Sequence, residues 1–435
     1  MSKPVIVSAV RTAQGRFGGS LSRLSAVDLG KNAIKGVFED LGYKPGVSEK
    51  IKSYAPDRTG LDGKTDLEKK YDDWDDDIES LNIDEVIMGN VLQGGQGQNP
   101  ARQASVRSGV PLQVPAYTVN KVCASGMKSV SLAAEKISIG KTDAVVAGGM
   151  ESMSSAPFTL PKARWGYRMA VDSQADMKDM MVYDGLYEIF YDYHMGMTAE
   201  NLAEKYDISR EEQDRLSVES QNRALRATKK GYFDDEIIPV EVKGKTVDTD
   251  ECPRETDMDK MAKLPPVFKK DGTVTAGNAS GISDGAAALL ITSEEYADEH
   301  GLNIMASVEG YTSAGIDPQY MGLGPVPATR RILDETGYDK SDIDVIEENE
   351  AFASQILACM DELGTPKYGI DMTEPGGEKV NPNGSGISLG HPIGCTGARI
   401  IVSLAHEMKR TGDEIGLATL CIGGGMGMAT LIKNI

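Results

Sequence analysis

The sequence predicts an α/β protein built from two similar halves, and two observations lead to this prediction. Short apolar segments typical of buried strands alternate with longer amphipathic segments typical of helices. In addition, residues 123–136 (CASGMKSVSLAAEK) resemble residues 395–408 (CTGARIIVSLAHEM), with Cys, Val, Ser, Leu, Ala and Glu coinciding at a shift of 272 positions, 395 − 123. This repeat predicts a duplicated α/β unit in which two helix N-termini face one cleft.

The predicted elements follow one another in the order that an α/β fold requires. Apolar runs and helical periodicity predict a strand at 5–10, an amphipathic helix at 25–42, a strand at 83–93, and a strand followed by a glycine turn at 143–153. Within the helix, Leu29, Ile34 and Val37 recur at helical spacing, so they mark its buried face. Strand, helix and strand in succession are typical of this fold class.

Two segments interrupt the α/β pattern. Residues 43–82 contain the acidic run DDWDDD and little apolar periodicity, which indicates an acidic surface insertion, either a solvated loop or a docking site for a protein partner. Residues 153–282 hold methionines, charges and helical stretches, one of which opens with a capping box at Ser209 and Glu212. We therefore expect three units: a first half at 1–152 plus 283–306, an inserted, largely helical domain at 153–282, and a second half at 307–435.

Composition excludes several functional classes. The chain carries 46 basic and 66 acidic residues, and its net charge of −20 disfavours binding to nucleic acid or to anionic membranes. No apolar run reaches the roughly 18 residues of a membrane span, and the N-terminus lacks the pattern of a secretory signal. Five scattered cysteines do not suggest a disulfide framework, so we expect a reduced, cytoplasmic protein.

Three residues stand out as candidates for chemistry. Cys123 lies between a predicted strand and a predicted helix, where unpaired backbone N–H groups favour the reactive thiolate. His391 lies between Gly390 and Pro392 in a glycine-rich loop, as a catalytic base or as a structural residue. Cys421 follows a predicted strand and precedes three glycines, either close to a ligand or as a small buried residue at the strand end.

Cysteine, histidine and glycine turns together suggest acyl transfer through a thioester, because a thiol both accepts and releases an acyl group readily. The sequence contains no Walker A motif for nucleotide phosphates and no CxxC pair for zinc, so neither motif implies a nucleotide or a metal site. Cys359 and Cys395 are interpreted as structural residues, and Cys252 has no evident role.

Several motifs, in this order, resemble the thiolase family over nearly the whole chain: NKVCASGMKS, AGGMESMS, TAGNASGISDGAAA, ENEAFA, GHPIGCTGAR and CIGGGMG. The resemblance implies the thiolase fold, two α/β halves in an αβαβα arrangement with an inserted loop domain over the coenzyme A site. It implies acetyl-CoA C-acetyltransferase activity by ping-pong chemistry, with CoA thioesters as substrates and no permanently bound cofactor. The alternatives are a broader-chain 3-ketoacyl-CoA thiolase of fatty-acid β-oxidation and a non-catalytic thiolase-like carrier or scaffold.

The resemblance also assigns roles to residues. It implies that Cys123 is the nucleophile, His391 the base that activates it and Cys421 the second acid/base. Asn349 is similar to the residue that holds a water at a first oxyanion site, and the N–H groups of Cys123 and Gly423 would form a second oxyanion site.

Further residues and the assembly follow from the same resemblance. The residues expected to line the acyl and CoA pocket are His194, Met195, Ala276, Ser280 and Met321. Residues 165–186 resemble the tetramer-forming segment of family members, so we expect a homotetramer, a dimer of dimers. If Cys123 and Cys421 serve one substrate carbon, they should lie close, and a reversible disulfide between them is expected under oxidation.

Overall fold

The computed structural model describes residues 2–56, 64–167, 177–364 and 379–435. Its strands are β1 Pro4–Thr12, β2 Gly15–Arg16, β3 Lys44–Gly46, β4 Ser80–Asn82, β5 Glu85–Gly89, β6 Ala116–Val119, β7 Ala144–Ser152, β8 Phe158–Thr159, β9 Lys178–Asp179, β10 Tyr187–Glu188, β11 Tyr193–His194, β12 Ile237–Ile238, β13 Val240–Val242, β14 Lys245–Val247, β15 Ser283–Ser293, β16 Ala306–Gly315, β17 Val345–Glu348, β18 Ile415–Ile422 and β19 Met426–Asn434. Its α-helices are α1 Ala26–Leu41, α2 Glu49–Lys52, α3 Asp66–Tyr71, α4 Pro100–Arg107, α5 Ser125–Ser138, α6 Gly196–Lys205, α7 Arg210–Lys229, α8 Met258–Met261, α9 Glu294–Glu299, α10 Pro325–Thr336, α11 Ala353–Leu363, α12 Gly386–Leu389 and α13 Thr396–Thr411.

The two halves of the chain repeat one pattern of strand pairing. In the first half β5 and β7 are parallel, while β15 runs antiparallel to both β7 and β1. In the second half β17 and β18 are parallel, while β19 runs antiparallel to both β18 and β16. The halves join where β1 pairs with β16 at Val5 and Ile6. The equivalent pairing confirms the two similar halves predicted from the sequence repeat.

Alternating side chains on the strands separate the layers, because successive residues of a strand point to opposite faces. On β15, Leu289 and Ile291 pack in the core cluster that contains the apolar residues of α5 and α13. Ala288 and Leu290 of the same strand pack in the cluster that contains those of α1. In the second half, α10 packs on the outer faces of β18 and β19. Helices α5 and α13 therefore lie between the strands of the two halves, whereas α1 and α10 lie on their outer faces. The predicted αβαβα fold is confirmed.

Helices α5 and α13 cross at their first turns, where both have glycine. A Cβ atom built on Gly126 would lie 2.7 Å from the backbone nitrogen of Ala398, and one built on Gly397 would lie 2.6 Å from that of Met127. Any larger residue would push the helices apart. The two helix N-termini thus meet at the centre of the molecule, as the repeat predicts.

The glycines at 148 and 149 do not form the predicted turn. Both lie inside β7, which continues to Ser152. A Cβ on Gly148 would lie 2.1 Å from the carbonyl oxygen of Ala287, and one on Gly149 would lie 2.2 Å from that of Gly394. Close backbone approach to β15 and to the loop before α13, rather than a turn, explains these glycines.

The inserted segment 153–282 contains two long helices, α6 and α7, together with short strand pairs and irregular backbone. The capping box predicted at the start of α7 is present, since Ser209 accepts the N–H of Glu212 and Glu212 accepts that of Ser209. Helix is a smaller part of this segment than the sequence patterns suggest, and the domain boundaries stay a prediction.

A buried ion-pair network fastens the inserted segment to the first half. Arg11 on β1 donates from Nε to Glu236 at 2.6 Å and from both terminal nitrogens to Asp250 at 2.7 and 2.9 Å. All three side chains are buried. Removing one partner of such a network leaves an unpaired buried charge, at a cost of about 3–5 kcal/mol.

The acidic insertion is anchored to the body of the protein in its described part. The Trp74 ring meets Phe38 edge-on at 6.4 Å and donates from Nε1 to the carbonyl oxygen of Ser108 at 3.0 Å. Asp73 pairs with Lys35 of α1 at 2.7 Å. The region is therefore partly ordered and partly charge-paired, while residues 57–63 of the insertion lie outside the described residues. Within the described ranges, no helix is long and apolar enough to cross a membrane.

Candidate active site

Cys123 lies in a strained turn between β6 and α5. Val122 has a φ of 48°, in the left-handed region that β-branched residues rarely adopt. Asn120 accepts the N–H of Val122, and Ser125 both accepts the N–H of Lys121 and donates to the carbonyl of Val122. These polar side chains stabilise a backbone that would otherwise relax, and the turn presents Cys123 just ahead of the helix.

The Cys123 thiol is protonated at neutral pH, contrary to the expectation from its position before a helix. Burial raises the pKa of Cys123 to about 11, although hydrogen bonds from the N–H groups of Gly423 and of Cys123 itself lower it. Desolvation of the charged form outweighs the two donors. The same two N–H groups point to the Cys123 sulfur, and their role as an oxyanion site for the carbonyl oxygen of an acyl group stays a prediction.

His391 is held in the loop between α12 and α13 as a neutral imidazole. Its backbone N–H donates to the carbonyl of Gly281 at 3.0 Å, and its Nδ1 lies 2.6 Å from Thr396 Oγ1. Burial, with a further contribution from the charge of Arg399, lowers the pKa of His391 to about 3. The ring is therefore in its basic form throughout the neutral pH range.

In the free protein we expect the Cys123 thiol to react slowly with alkylating reagents. Because the thiolate reacts and the pKa of Cys123 is near 11, alkylation of Cys123 by iodoacetamide should accelerate about tenfold per pH unit between pH 6 and 9. Peptide mass spectrometry of Cys123 measures this rate, with the Cys123→Ser protein as background. A plateau with a midpoint below pH 7 would contradict the expectation, since it would reveal a thiolate–imidazolium pair.

Cys421 lies at the end of β18, opposite Gly427 of β19. Burial raises its pKa well above the ordinary value, and the neighbouring Cys123 thiol and Glu348 carboxylate raise it further. Cys123 also accepts a hydrogen bond from the N–H of Gly423, two residues after Cys421, so the two cysteines belong to one site. The following turn contains Gly424 and Gly425 with φ of 79° and 76°, which only glycine adopts readily. All five cysteines are free, and the Cys123–Cys421 disulfide stays a prediction.

The side-chain amide of Asn349 lacks a hydrogen-bond partner in the part of the chain that the structure describes. The residue follows β17, is fully buried, and neither its Oδ1 nor its Nδ2 finds a hydrogen bond among the described residues. An unsatisfied buried amide costs about 1–3 kcal/mol, so it requires a water molecule or a ligand in the native protein. This observation supports the expectation that Asn349 holds a water.

The predicted pocket methionines lie beside Cys421. Met195 and Met321 share one apolar cluster with Cys421 and Phe352. Met195 also contacts the glycine turn, because a Cβ on Gly423 would lie 2.2 Å from its Cε. Bulky side chains therefore occupy the space around the second thiol.

The other three predicted pocket residues differ in their contacts with this cluster. His194 stacks on Phe268 with ring centres 4.6 Å apart, and its Nδ1 accepts the N–H of Gly196. The N–H of Ser280 donates to the carbonyl of Ala351, which belongs to the cluster. Ala276 is exposed and lies outside the cluster.

Glu151 connects the loops of the two halves behind the site. One carboxylate oxygen accepts the N–H groups of Val91 and Gly394, each at 3.0 Å, and the other accepts from Asn90 Nδ2 at 2.6 Å. Burial raises the pKa of Glu151 to about 7 despite these donors. Gly394 belongs to the loop of His391, so Glu151 ties this loop to the first half.

Three side chains in contact with the predicted residues were not identified from the sequence: Thr396, Phe268 and Phe352. Thr396 could have been found from its place at the start of a predicted helix, five residues after His391. Phe268 meets Phe352 edge-on at 6.3 Å, and no local pattern predicts this contact between remote parts of the chain.

The arrangement combines two buried thiols, a neutral base, converging N–H donors and an unpartnered amide. Within the described ranges, no group of three or more His, Cys, Asp or Glu side chains is arranged to hold a metal ion. The residues present are suited to transferring an acyl group through a cysteine thioester.

Comparison with known proteins agrees with this chemistry. Models of the thiolase N-terminal and C-terminal domains match residues 73–295 and 302–434. The chain is 48% identical to the acetyl-CoA acetyltransferase of Syntrophomonas wolfei, covering 99% of both chains. It is 46% identical to that of Cupriavidus necator, covering 100% of both.

Solved structures are similar over the same extent. The acetyl-CoA acetyltransferase of Bacillus anthracis matches with a TM-score of 0.86 and 41% identity, covering 100% of this chain and 99% of that one. Human mitochondrial 3-ketoacyl-CoA thiolase in complex with CoA matches with a TM-score of 0.85 and 38% identity, covering 100% and 98%. With both domain models matched and close relatives aligned from end to end, the chain belongs to the thiolase family.

Proposed function

We propose that the protein is an acetyl-CoA C-acetyltransferase, which converts two acetyl-CoA reversibly into acetoacetyl-CoA and CoA. The observation that carries the proposal is that two buried cysteines share one glycine turn, since Cys123 accepts the N–H of Gly423 and Cys421 lies two residues before that glycine. Full-length relatives with this name support the short-chain assignment. The substrates are CoA thioesters, and the proposed steps need no permanently bound cofactor.

In the first half-reaction the acetyl group moves to Cys123. His391 takes the thiol proton at Nε2 while the sulfur attacks the thioester carbonyl carbon. The negative charge on the carbonyl oxygen is stabilised by the N–H groups of Cys123 and Gly423. The bond to the CoA sulfur then breaks, and the CoA thiolate takes the proton of Cys421, which leaves Cys421 as the thiolate and His391 as the imidazolium. The products are acetyl-Cys123 and CoA.

In the second half-reaction a new carbon–carbon bond forms. Cys421, as the thiolate, removes a proton from the methyl group of a second acetyl-CoA. The enolate oxygen accepts the Nε2–H of the His391 imidazolium and a hydrogen bond from a water held on Asn349. The enolate carbon attacks the carbonyl of acetyl-Cys123, the Cys123 sulfur leaves, and it takes its proton from Nε2 of the His391 imidazolium. Acetoacetyl-CoA is released and both thiols are restored.

Acyl-chain length separates this proposal from the β-oxidation alternative, which the similarity to human 3-ketoacyl-CoA thiolase favours. Because Met195 and Met321 crowd Cys421, we expect thiolysis of acetoacetyl-CoA to exceed that of 3-ketodecanoyl-CoA at least about 100-fold in kcat/KM, which corresponds to about 2.7 kcal/mol. Cys123→Ser is the control for background hydrolysis. Comparable rates on both substrates would support the broader-chain thiolase. If neither substrate were cleaved and acetyl-CoA did not label Cys123, the non-catalytic carrier or scaffold would be the remaining alternative.

The assembly is proposed to be a homotetramer. Several large apolar side chains of the inserted segment are exposed, including Phe158, Met177, Phe190 and Trp165, the last of which is 85% exposed. Apolar side chains exposed in such number on one segment support a role in association. Residues 168–176 of the segment expected to form tetramers lie outside the described residues. Sedimentation as a monomer at micromolar concentration would contradict this proposal.

We propose cytoplasmic acyl-CoA and fatty-acid metabolism as the setting, because five free cysteines suit a reducing compartment. A protein partner at the acidic insertion remains a weaker proposal. Its support is confined to the exposed carboxylates of Asp75 and Asp77, since Asp73 is paired with Lys35 and Asp76 with Lys64. Unchanged pull-down partners after neutralising these two residues would exclude it.

A further inference from the structure

We infer that Thr396 is a positioning residue that fixes the tautomer of His391, with the proton on Nδ1 and the basic lone pair on Nε2. The inference rests on the proposed function, because it specifies which nitrogen of His391 accepts the Cys123 proton. Neither the motif resemblance nor the family comparison assigns a role to Thr396.

The direction of two hydrogen bonds carries the inference. Thr396 Oγ1 lies 3.0 Å from the carbonyl oxygen of Pro392 and 2.6 Å from His391 Nδ1. A carbonyl oxygen only accepts, so the single hydroxyl hydrogen of Thr396 points to Pro392. The remaining lone pair of the hydroxyl then faces Nδ1, and a contact of 2.6 Å is attractive only if Nδ1 carries hydrogen.

The opposite arrangement is less favourable. If the hydroxyl donated to Nδ1, Oγ1 and the Pro392 carbonyl would face each other as two acceptors at 3.0 Å. Both Thr396 and His391 are buried, and repulsion between acceptors is strongest where water is excluded. It would also place the basic lone pair on Nδ1, against the helix, and leave Nε2 unable to accept a proton.

The surroundings make the hydrogen bond a fixed one. Thr396 is the first residue of α13, whose first turn is packed against α5 through Gly397 and is fully buried. The backbone of His391 is held from the other side by Gly281. Within the described residues Nε2 has no hydrogen-bond partner, so the free nitrogen of the ring is the one left for chemistry.

Two substitutions separate the hydroxyl from the shape of Thr396. Thr396→Val keeps the branched shape and removes the hydroxyl, whereas Thr396→Ser keeps the hydroxyl. We expect Thr396→Val to lower kcat for acetoacetyl-CoA thiolysis about 10- to 100-fold, the loss found when a hydrogen bond that orients a metal-binding histidine is removed. The KM should change less than about threefold. Thr396→Ser should restore kcat to within about threefold of the unmodified protein.

The measurement that decides the question is the tautomer of His391. The chain has four histidines, so a ¹⁵N spectrum of histidine-labelled protein is assignable by comparison with His391→Asn. We expect a protonated Nδ1 and an unprotonated Nε2 for His391 in the unmodified and Thr396→Ser proteins, and a mixture of tautomers in Thr396→Val.

Specific results would overturn the inference. A proton on Nε2 in the unmodified protein would do so directly and needs no variant, so a failure of Thr396→Val to fold does not leave the question open. An unchanged tautomer and kcat in a folded Thr396→Val protein would also overturn it. If the protein transferred no acetyl group at all, the proposed function would fail while the tautomer could still be read from the spectrum.

Discussion

Replacing Cys123 with serine is expected to lower acetoacetyl-CoA thiolysis on the order of 10⁴-fold or more. A serine hydroxyl is far less acidic and less nucleophilic than a thiol, and it would have to be deprotonated in a site that already raises the pKa of the thiol to about 11. The acetyl-enzyme should therefore not form. Steady-state thiolysis measures the loss of rate, and radiolabelled acetyl-CoA measures the loss of the covalent intermediate.

A buried cysteine outside the proposed chemistry provides the matched control. Cys359 on α11 donates to the carbonyl of Gly322 at 3.2 Å, a contact that a serine hydroxyl retains. We expect Cys359→Ser to keep kcat within about threefold and to accept one acetyl group per chain, because it removes no reacting atom. Retention of more than about one per cent of the activity in Cys123→Ser, with an unchanged melting temperature, would show that another residue is the nucleophile.

Replacing Cys421 with alanine should separate the two half-reactions. Removing a positioned general base costs about 10²- to 10⁴-fold in the step that it serves, so condensation should fall by this factor. Acetylation of Cys123 should remain close to one group per chain, since His391 and the N–H groups of Cys123 and Gly423 are unchanged. Rapid-quench labelling with acetyl-CoA follows the first step, and acetoacetyl-CoA formation follows both steps.

Hydrogen exchange adds a test specific to the role of Cys421. Proton removal from the methyl group of acetyl-CoA should incorporate deuterium from D₂O in the unmodified protein and at least about 100-fold more slowly in Cys421→Ala. If acetylation of Cys123 and condensation decreased by the same factor, Cys421 would act through the structure of the site, for example through the packing of Met195 and Met321 around it, and not as the second base.

The sequence by itself determined the α/β class and the duplication. Strand and helix periodicities are local properties of the chain, so the strand at 5–10 and the helix at 25–42 were predicted close to β1 and α1. The repeat around Cys123 and Cys395 predicted two helix N-termini that meet, and α5 and α13 do so. The motifs also supplied the candidate residues Cys123, His391 and Cys421, whose catalytic roles stay predictions.

Only the tertiary structure decided the protonation states and the supporting contacts. The helix N-terminus at Cys123 predicted a thiolate, yet burial by both halves holds the thiol protonated and His391 neutral. The glycines of β7, the anchoring of Trp74 and the contact of Thr396 with His391 likewise depend on segments remote in sequence or on loop geometry. The physical reason is that desolvation and close packing depend on every atom around a group, whereas a sequence pattern specifies only its neighbours along the chain.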